Sequence, residues 1–533
     1  MQSLLLTTAC LMRLSGLVSA TSPSVQIGAG TYVGTLTSVR ASAPTANAYL
    51  GIPFAKPPVR FMPPVEALPV VGEFQATSWP PACIQQSLGF VEYNNTDAAN
   101  LLTSTYNTKE SEDCLYLNIF TPTNATKSSK LPVMFEIYGG NLQGGGSSLP
   151  IYNGASLAAE EDVVVVTIGY RVGPFGFVPS EEVDSTLRNP GFLDQRLALE
   201  WVHHNVEHFG GDSSRVTILG QSAGGYSVKQ LWANPPNPLR FHAAIMESEG
   251  LLLTRNDWPN LVANLNCSAA PSPLECVRAL PVGAVKDASL RDATGAMATN
   301  AFSILSFPPT VDYLTNTNRS EVAVATGKAA RIPILIGSNG NESAALANGL
   351  NAATAAVAIP LLLNSTAVST LFPTWYSSAL AQGAQSEEQA VSKIVNNVVF
   401  NCPISILSQT ASASDYSVWR YLYNATFADL NTYPDQIKYG AYHGAEVTSV
   451  FGVYPSGEDE AAQQALARYV QGIWAGFART LGGSVPWAKV DTEVDSVFRI
   501  GQDNVANGST IYSGVVDGEC GLYDGYVLSA ARV

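Results

Sequence analysis

Ser222 is the side chain from which chemistry can first be read in this chain of 533 residues. It stands at the centre of Gly220-Gln221-Ser222-Ala223-Gly224. Before it lies a strand-like run, Arg215-Val216-Thr217-Ile218-Leu219, and after it a segment able to start a helix, Tyr226-Ser227-Val228-Lys229-Gln230. A G-x-S-x-G at a strand-to-helix turn is a nucleophile elbow. The turn is so tight that side chains on its flanks would collide, and Gly220 and Gly224 relieve that crowding. It lifts the Ser222 hydroxyl to the N-terminus of the following helix. There the helix dipole and free backbone N–H groups favour developing negative charge. The chemistry implied is nucleophilic attack on an acyl carbon.

A serine in this position needs a base and an acid. A strand–elbow–helix of this kind belongs to the α/β-hydrolase fold, in which the carboxylate and then the histidine follow the serine along the chain. Of the five histidines, His203, His204 and His208 precede Ser222, and His242 follows it by only 20 residues. His443, in Gly440-Ala441-Tyr442-His443-Gly444-Ala445-Glu446, lies far enough downstream to be the base, in a loop marked by its flanking glycines. The other four read as structural: three in a helix ending at Phe209-Gly210-Gly211, and His242 beside an apolar strand. The acid that fixes the tautomer of the base is assigned to Glu342. It follows an apolar strand, Ile332-Pro333-Ile334-Leu335-Ile336-Gly337, and a turn, Ser338-Asn339-Gly340-Asn341. That puts a carboxylate just beyond the carboxyl end of a strand, where sites on open α/β sheets form. After the strand Val133-Met134-Phe135-Glu136-Ile137-Tyr138 comes Gly139-Gly140-Asn141-Leu142-Gln143-Gly144-Gly145-Gly146. Its glycines let backbone N–H groups approach a substrate oxygen, so the oxyanion donors are assigned to Gly140, Asn141 and Ala223. This set requires no metal and no cofactor.

The elements that must hold these residues fit one large domain. Hydrophobic residues make up 46 % of the chain, enough for a sizeable core, and no linker, low-complexity tract or fixed-period repeat divides it. The expected fold class is α/β: an α/β-hydrolase fold with a large central, mostly parallel sheet flanked by helices. A formal charge of −15 and a pI near 4.8 argue against a nucleic-acid partner. They suit an acidic medium or simple solubility.

Residues 1–20 read as a secretory signal. Ser3-Leu4-Leu5-Leu6 through Leu17-Val18 is apolar, and Val18-Ser19-Ala20 offers small residues for cleavage. The catalytic domain then spans 21–533 and the protein is secreted to the extracellular medium. No later run is long enough to span a bilayer, and the C-terminus lacks the apolar tail of a lipid-anchor signal. Removing Cys10 with the leader leaves Cys83, Cys114, Cys267, Cys276, Cys402 and Cys520, an even number that suggests three disulfides in an oxidising compartment. Cys83–Cys114 and Cys267–Cys276 are the economical local pairs, leaving Cys402–Cys520, although fifteen pairings are open. Sequons at Asn94, Asn124, Asn266, Asn318, Asn364, Asn424 and Asn507 agree with secretion. Asn341-Glu342-Ser343 also fits the pattern, but a glycan there would clash with the role of Glu342.

The chain resembles the type-B carboxylesterase/lipase family, the cholinesterase-like α/β-hydrolases, in its secreted, fungal-type esterase/lipase branch. The likeness runs from about Val25 to about Cys520. It is carried by Tyr49-Leu50-Gly51-Ile52-Pro53-Phe54-Ala55, by Glu112-Asp113-Cys114-Leu115-Tyr116-Leu117-Asn118-Ile119 and by Tyr170-Arg171-Val172-Gly173. Asp194-Gln195-Arg196-Leu197-Ala198-Leu199-Glu200-Trp201-Val202 and Phe209-Gly210-Gly211-Asp212 continue it in register. The resemblance implies Ser222 as nucleophile, Glu342 as acid and His443 as base. It implies Gly140, Asn141 and Ala223 as oxyanion donors, and the same three cysteine pairs. Ser248 matches a serine that supports the acid from behind. Three positions depart from the family: Asn141-Leu142 stand where a third glycine and an aromatic are usual, and Gln221 stands where a glutamate usually precedes the nucleophile. The segment between Cys83 and Cys114 holds no tryptophan, which disfavours choline esters.

The resemblance thus implies a secreted carboxylic ester hydrolase that acts on neutral, hydrophobic esters through an acyl-enzyme. Two alternatives stand beside it: a lipase on long-chain acylglycerols or sterol esters, and a non-catalytic, cholinesterase-like adhesion module. Lipase relatives carry a lid in the first disulfide loop. Here Leu88-Gly89-Phe90-Val91 and Asp97-Ala98-Ala99-Asn100-Leu101-Leu102 read equally as an amphipathic flap that contacts a lipid interface or as a fixed wall of the acyl pocket.

Overall fold

Uninterrupted apolar runs make the middle of the central sheet. Val164–Ile168 is buried at every residue, and Leu131–Ile137 at all but its first. This is the pattern of strands covered on both faces. The computed structural model describes residues 22–86, 109–251, 254–291, 294–295, 305–344, 351–362, 366–430, 440–491 and 496–530. The leader, Cys10, the 88–102 segment, Asn94 and Asn364 lie outside the described residues.

Among the described residues eleven strands form one sheet. They are β1 (Thr35–Thr37), β2 (Ala46–Pro53), β3 (Tyr116–Pro122), β4 (Leu131–Ile137), β5 (Val164–Ile168), β6 (Gly211–Gln221), β7 (Ala243–Glu247), β8 (Ile334–Asn339), β9 (Val418–Tyr423), β10 (Ser496–Ile500) and β11 (Gly508–Tyr512). Their spatial order is β11-β10-β9-β8-β7-β6-β4-β5-β3-β2-β1. Neighbours from β10 across to β5 run parallel. The outer strands pair antiparallel. The sheet is therefore the mixed, mostly parallel one of an α/β-hydrolase fold.

β8 begins and ends two residues later than the sequence suggests. Pro333 has no N–H for the ladder, so pairing starts at Ile334. It carries on through Ser338 and Asn339, which face Leu422 and Tyr423 of β9. The turn before Glu342 is shortened accordingly.

Helices used below are α1 (Ala155–Glu161), α2 (Pro190–Asn205), α3 (Ala223–Ala233), α4 (Ala352–Leu362), α5 (Thr366–Ala381), α6 (Glu387–Asn396), α7 (Cys402–Ala413), α8 (Ala445–Phe451), α9 (Glu460–Thr480) and α10 (Cys520–Ala530). α3 packs on β6 and β7, and α9 on β4 and on α8. Proline at the start of α2 suits a first turn whose N–H groups lack partners. The helix is fixed by a buried, two-pronged ion pair from Asp194 to Arg171, at 2.7 and 2.8 Å, in the loop after β5. The ends of β4 and β5 are tied by Tyr138 and Tyr170. Each phenol donates to the other's carbonyl, at 2.6 and 2.8 Å, and the rings stack.

A second apolar cluster lies under α4, α5, α6, α7 and α10, built around Phe372, Trp375, Tyr523 and Tyr526. α6 and α7 are joined by a π-helical turn, Asn397–Asn401. The joined run Glu387–Ala413 corrects the expectation that nothing after the leader reaches spanning length. It has 27 residues and is apolar enough by composition, and 89 % of its most apolar window is buried within the protein. Asn396, Asn397, Asn401 and Pro403 interrupt the apolar pattern and hide its continuity. Its burial marks it as a core helix.

Among the described residues three disulfides are present: Cys83–Cys114, Cys267–Cys276 and Cys402–Cys520. The third joins the first residues of α7 and α10 and so clasps the second cluster. Of the sequon asparagines, Asn124, Asn266 and Asn507 are exposed, while Asn318 and Asn424 are half-buried. The Asn424 Nδ2 donates to Gln502 Oε1 at 2.6 Å.

A cross-link restricts the unfolded chain more as its loop lengthens. Cys402–Cys520 spans 118 residues and Cys267–Cys276 spans 9. Replacing the first pair by serine is expected to cost about 5 kcal/mol and replacing the second about half that. Denaturant midpoints of the two double variants check the order.

Candidate active site

The elbow is built by backbones in contact. A Cβ on Gly224 would lie 1.9 Å from the Ile137 carbonyl oxygen, and one on Gly220 would lie 2.5 Å from the same atom. Only glycine permits the elbow to come this close to the end of β4. Ser222 sits at its crest with φ 59° and ψ −122°, a strained conformation that costs about 1–3 kcal/mol. Its N–H donates to the Glu247 carbonyl (2.8 Å), and its own carbonyl accepts from Tyr226 in α3 (2.8 Å). Ala223 is the first residue of α3, so its N–H has no partner within the helix.

The end of β4 presses on this turn. A Cβ on Gly139 would fall 2.5 Å from the Gln221 carbonyl and 3.2 Å from Ser222 Cβ. The loop beyond folds on itself, with the Gly140 carbonyl accepting from Gln143 (3.0 Å) and Gly144 (3.1 Å). Asn141 and Leu142 both take φ 54°. Asparagine tolerates this left-handed region, whereas leucine does so only under restraint. The restraint comes from the chain following Cys83. Gln86 N–H donates to the Gln143 carbonyl (2.9 Å), and Gln143 Nε2 donates to Gln86 Oε1 (3.0 Å). Gln85 brackets Gly145 through both amide atoms. Asn141 Nδ2 donates to Gln143 Oε1 at 2.6 Å. Sequence reasoning missed Gln85, Gln86 and Gln143, because no spacing of glutamines signals a network between distant segments.

His443 lies in the loop that leads into α8. Asn339 Nδ2 donates to the Tyr442 carbonyl (2.7 Å), and Asn341 N–H donates to the Ala441 carbonyl (3.0 Å). These bonds hold the histidine loop against the turn after β8. Glu342, with no exposed side-chain surface, then meets His443 Nδ1 through Oε2 at 2.7 Å and accepts the Asn339 N–H at 2.6 Å through Oε1. A proton on Nδ1 facing Glu342 leaves Nε2 as the acceptor. The His443 side chain keeps 29 % of its surface exposed. Burial opposes its imidazolium, but the Glu342 hydrogen bond and charge, with a further contribution from Glu446, outweigh it and raise its pKa above the ordinary value. Among the described residues no hydrogen bond joins the Ser222 hydroxyl to His443. Contacts of this type tighten when the reacting group is seated.

Ser248, also at positive φ (49°), donates to Glu446 Oε1 at 3.2 Å, while Asn339 Nδ2 donates to the other oxygen of Glu446. Its support thus reaches Glu446 and, through Asn339, Glu342. The base has two further neighbours: Gln221, which the sequence marks as a departure from the family but not as a contact of the histidine, and Phe400, which the sequence does not mark. Gln221 Nε2 lies within 3.4 Å of both imidazole nitrogens, and the Phe400 ring, presented by the π-helical turn, packs against the imidazole with centroids 4.9 Å apart. The remaining histidines lie toward the opposite end of the sheet: His242 immediately precedes β7, His203 and His204 are in the last turn of α2, and His208 is in the short 3₁₀ turn Val206–Phe209 before β6.

Three further carboxyls lie buried within reach of one another, Glu136 of β4, Glu247 of β7 and Glu446 of α8, and the last of them acts on the base. Burial first, and then neighbouring carboxylates, raise all three above the usual carboxylate range. The Trp474 indole donates to Glu247 at 2.5 Å and partly opposes its shift. A half-buried serine at a helix N-terminus, an imidazole fixed by a buried carboxylate, and a loop of closely packed backbone amides together can carry out acyl transfer.

The sequence model described as the carboxylesterase family matches residues 21–515. Carboxylesterase 1D of Mus musculus is 33 % identical over 537 aligned residues, covering 91 % of this chain and 90 % of that protein. The liver carboxylesterase of Sus scrofa is 33 % identical over 534 residues, covering 91 % of each chain. Secreted lipase 1 of Botryotinia fuckeliana (strain B05.10) is 36 % identical over 336 residues, 57 % of this chain and 58 % of that protein.

Carboxyls whose folded pKa is raised bind more protons in the native than in the unfolded state. The stability they contribute is complete below the ordinary carboxylate range and is lost as pH rises through their folded values. His443, also raised, acts in the same direction. The thermal midpoint is therefore expected to fall between about pH 5 and about pH 8. Glu136→Gln should flatten that slope, and melting curves across the range for both proteins measure it.

Proposed function

Because this chain belongs to the carboxylesterase family and is a carboxylic ester hydrolase, we propose that it hydrolyses neutral, hydrophobic esters through a Ser222–His443–Glu342 triad. The reading rests above all on the 2.7 Å contact between His443 Nδ1 and Glu342 Oε2, which directs Nε2 away from the carboxylate and leaves it able to take a proton. In this mechanism Nε2 removes the proton from Ser222 as its hydroxyl adds to the ester carbonyl. Glu342 stabilises the imidazolium that results. The N–H groups of Gly140, Asn141 and Ala223 hold the oxyanion. His443 returns the proton to the departing alkoxide, so the alcohol leaves and the acyl group stays on Ser222. Water activated by the same histidine then releases the acid and restores the serine.

Residues 21–533 form the catalytic domain, and the protein is exported after removal of residues 1–20. Three disulfides favour an oxidising compartment. Glycans on the exposed Asn124, Asn266 and Asn507 are consistent with the same route. A lipase acting on long-chain acylglycerols is the second reading. It is favoured by the 36 % identity to a protein named as a secreted lipase, a likeness that covers little more than half of this chain.

Ser222→Ala and His443→Ala are expected to lower kcat on p-nitrophenyl butyrate by about 10⁴-fold or more with the fold retained. A variant with full activity would refute the triad. Asn141→Gly keeps the backbone donor and should hold the rate within about tenfold. Gly140→Ala drives a Cβ to 2.3 Å from the Gly144 carbonyl and should cost about 10²-fold or more, the scale of one lost oxyanion donor. Rates on acetate, butyrate, octanoate and palmitate esters, with and without emulsion, separate esterase from lipase.

A further inference from the structure

Gln221 occupies a place where charge would count heavily. It is the last residue of β6, pairs in register with Glu247 of β7, and is buried. Its Nε2 stands 3.2 Å from His443 Nε2 and 3.4 Å from Nδ1. An atom so nearly equidistant from both nitrogens cannot lie in the ring plane without overlapping Cε1. The amide therefore packs over the edge and face of the imidazole and does not occupy the in-plane lone pair of Nε2. Glycines make room for this contact. A Cβ on Gly139 would come within 3.2 Å of Gln221 Oε1, and Gly444 lies beside the same amide.

The titratable groups that act on this imidazole, and those that adjoin them, are acidic or phenolic. Glu342 meets it from the turn after β8, and Glu446 lies three residues along in α8. Glu247 stands behind Gln221 on β7, Glu136 is buried on β4, and the Tyr442 phenol adjoins it in sequence. Each ionised carboxylate favours the imidazolium and so removes the free base from reaction. Gln221 touches both ring nitrogens and adds no charge. Whichever way the amide is turned, it offers only a dipole.

We propose that Gln221 is a positioning residue that sets the acid limit of catalysis: its uncharged amide holds the His443 ring in place while leaving it a free base in more acidic medium than a carboxylate at that position would allow. This inference rests on the assignment of His443 as the base. Two independent features point the same way. The chain carries a net charge of −15, and the buried carboxyls stabilise the fold most when protonated.

The test is the pH profile of kcat/KM on p-nitrophenyl butyrate for the wild type, Gln221→Glu and Gln221→Met. In Gln221→Glu the acid limb should move up by about one pH unit or more, the scale of a charge in contact with a titrating group. Gln221→Met, neutral and of similar length, should lower the rate but leave the limb where it is. If Gln221→Glu does not fold, Gln221→Asp carries the same charge on a shorter stem and reads the same limb. A limb unmoved by the added carboxylate overturns the proposal, because a merely structural glutamine would change kcat in every variant and shift no limb. Ser222→Ala and His443→Ala measured alongside separate the two claims. If they retain activity, the triad reading has failed. If they are inactive and the limb of Gln221→Glu stays put, the inference about Gln221 alone has failed.

Discussion

The site depends on one close approach of backbone to backbone. Where the elbow meets the end of β4, the Ile137 carbonyl lies too close for a Cβ on Gly224 or Gly220. Removing side chains there lets the end of β4 and the start of α3 share one small volume. Two consequences follow from that contact. Ser222 is forced into its strained crest, and the start of the loop after β4 is brought beside it. The strain of about 1–3 kcal/mol is held by the parallel sheet on either side, whose strands are buried along almost their whole length.

A second constraint is electrostatic. The carboxyl ends of β7 and β8 and the start of α8 bring Glu247, Glu342 and Glu446 into a region nearly closed to water. Glu342 is compensated by the imidazole at 2.7 Å and by the Asn339 N–H. Glu446 leans on neutral donors from Ser248 and Asn339, and Glu247 on the Trp474 indole. Charges left this sparsely paired in the interior favour the protonated acid. Burial thus raises Glu247 and Glu446 above the ordinary carboxylate range, and a neutral glutamine against the imidazole is consistent with a base that must stay free in such surroundings.

Much of this was legible in the residues. The elbow, the order of serine, glutamate and histidine, and the glycine loop after β4 are local patterns, each made by a steric or chemical demand on adjacent positions. The structure brings Glu342 and His443 together as that order implies. The strand before Glu342 was displaced by two residues, because Pro333 and the polar Ser338 and Asn339 obscure where pairing starts and stops. The run through α6 and α7 was hidden because its asparagines look like loop signals until a π-helical turn absorbs them. The glutamines that brace the 139–146 loop, the Phe400 contact and the Gln221 amide on the imidazole were not legible. Each is a contact across the fold between side chains with no periodicity, and only the sheet order decides that they meet.

The central claim is that Ser222 is the activated nucleophile of this hydrolase. Its most direct test is the intact mass of the protein after reaction with a fluorophosphonate, followed by peptide mapping. The account predicts one phosphonyl group per chain, on the peptide carrying Ser222, with labelling absent in Ser222→Ala and slowed about 10³-fold or more in His443→Ala, the scale of a lost catalytic base. A folded protein that takes up no label, or takes it up at another residue, would contradict it.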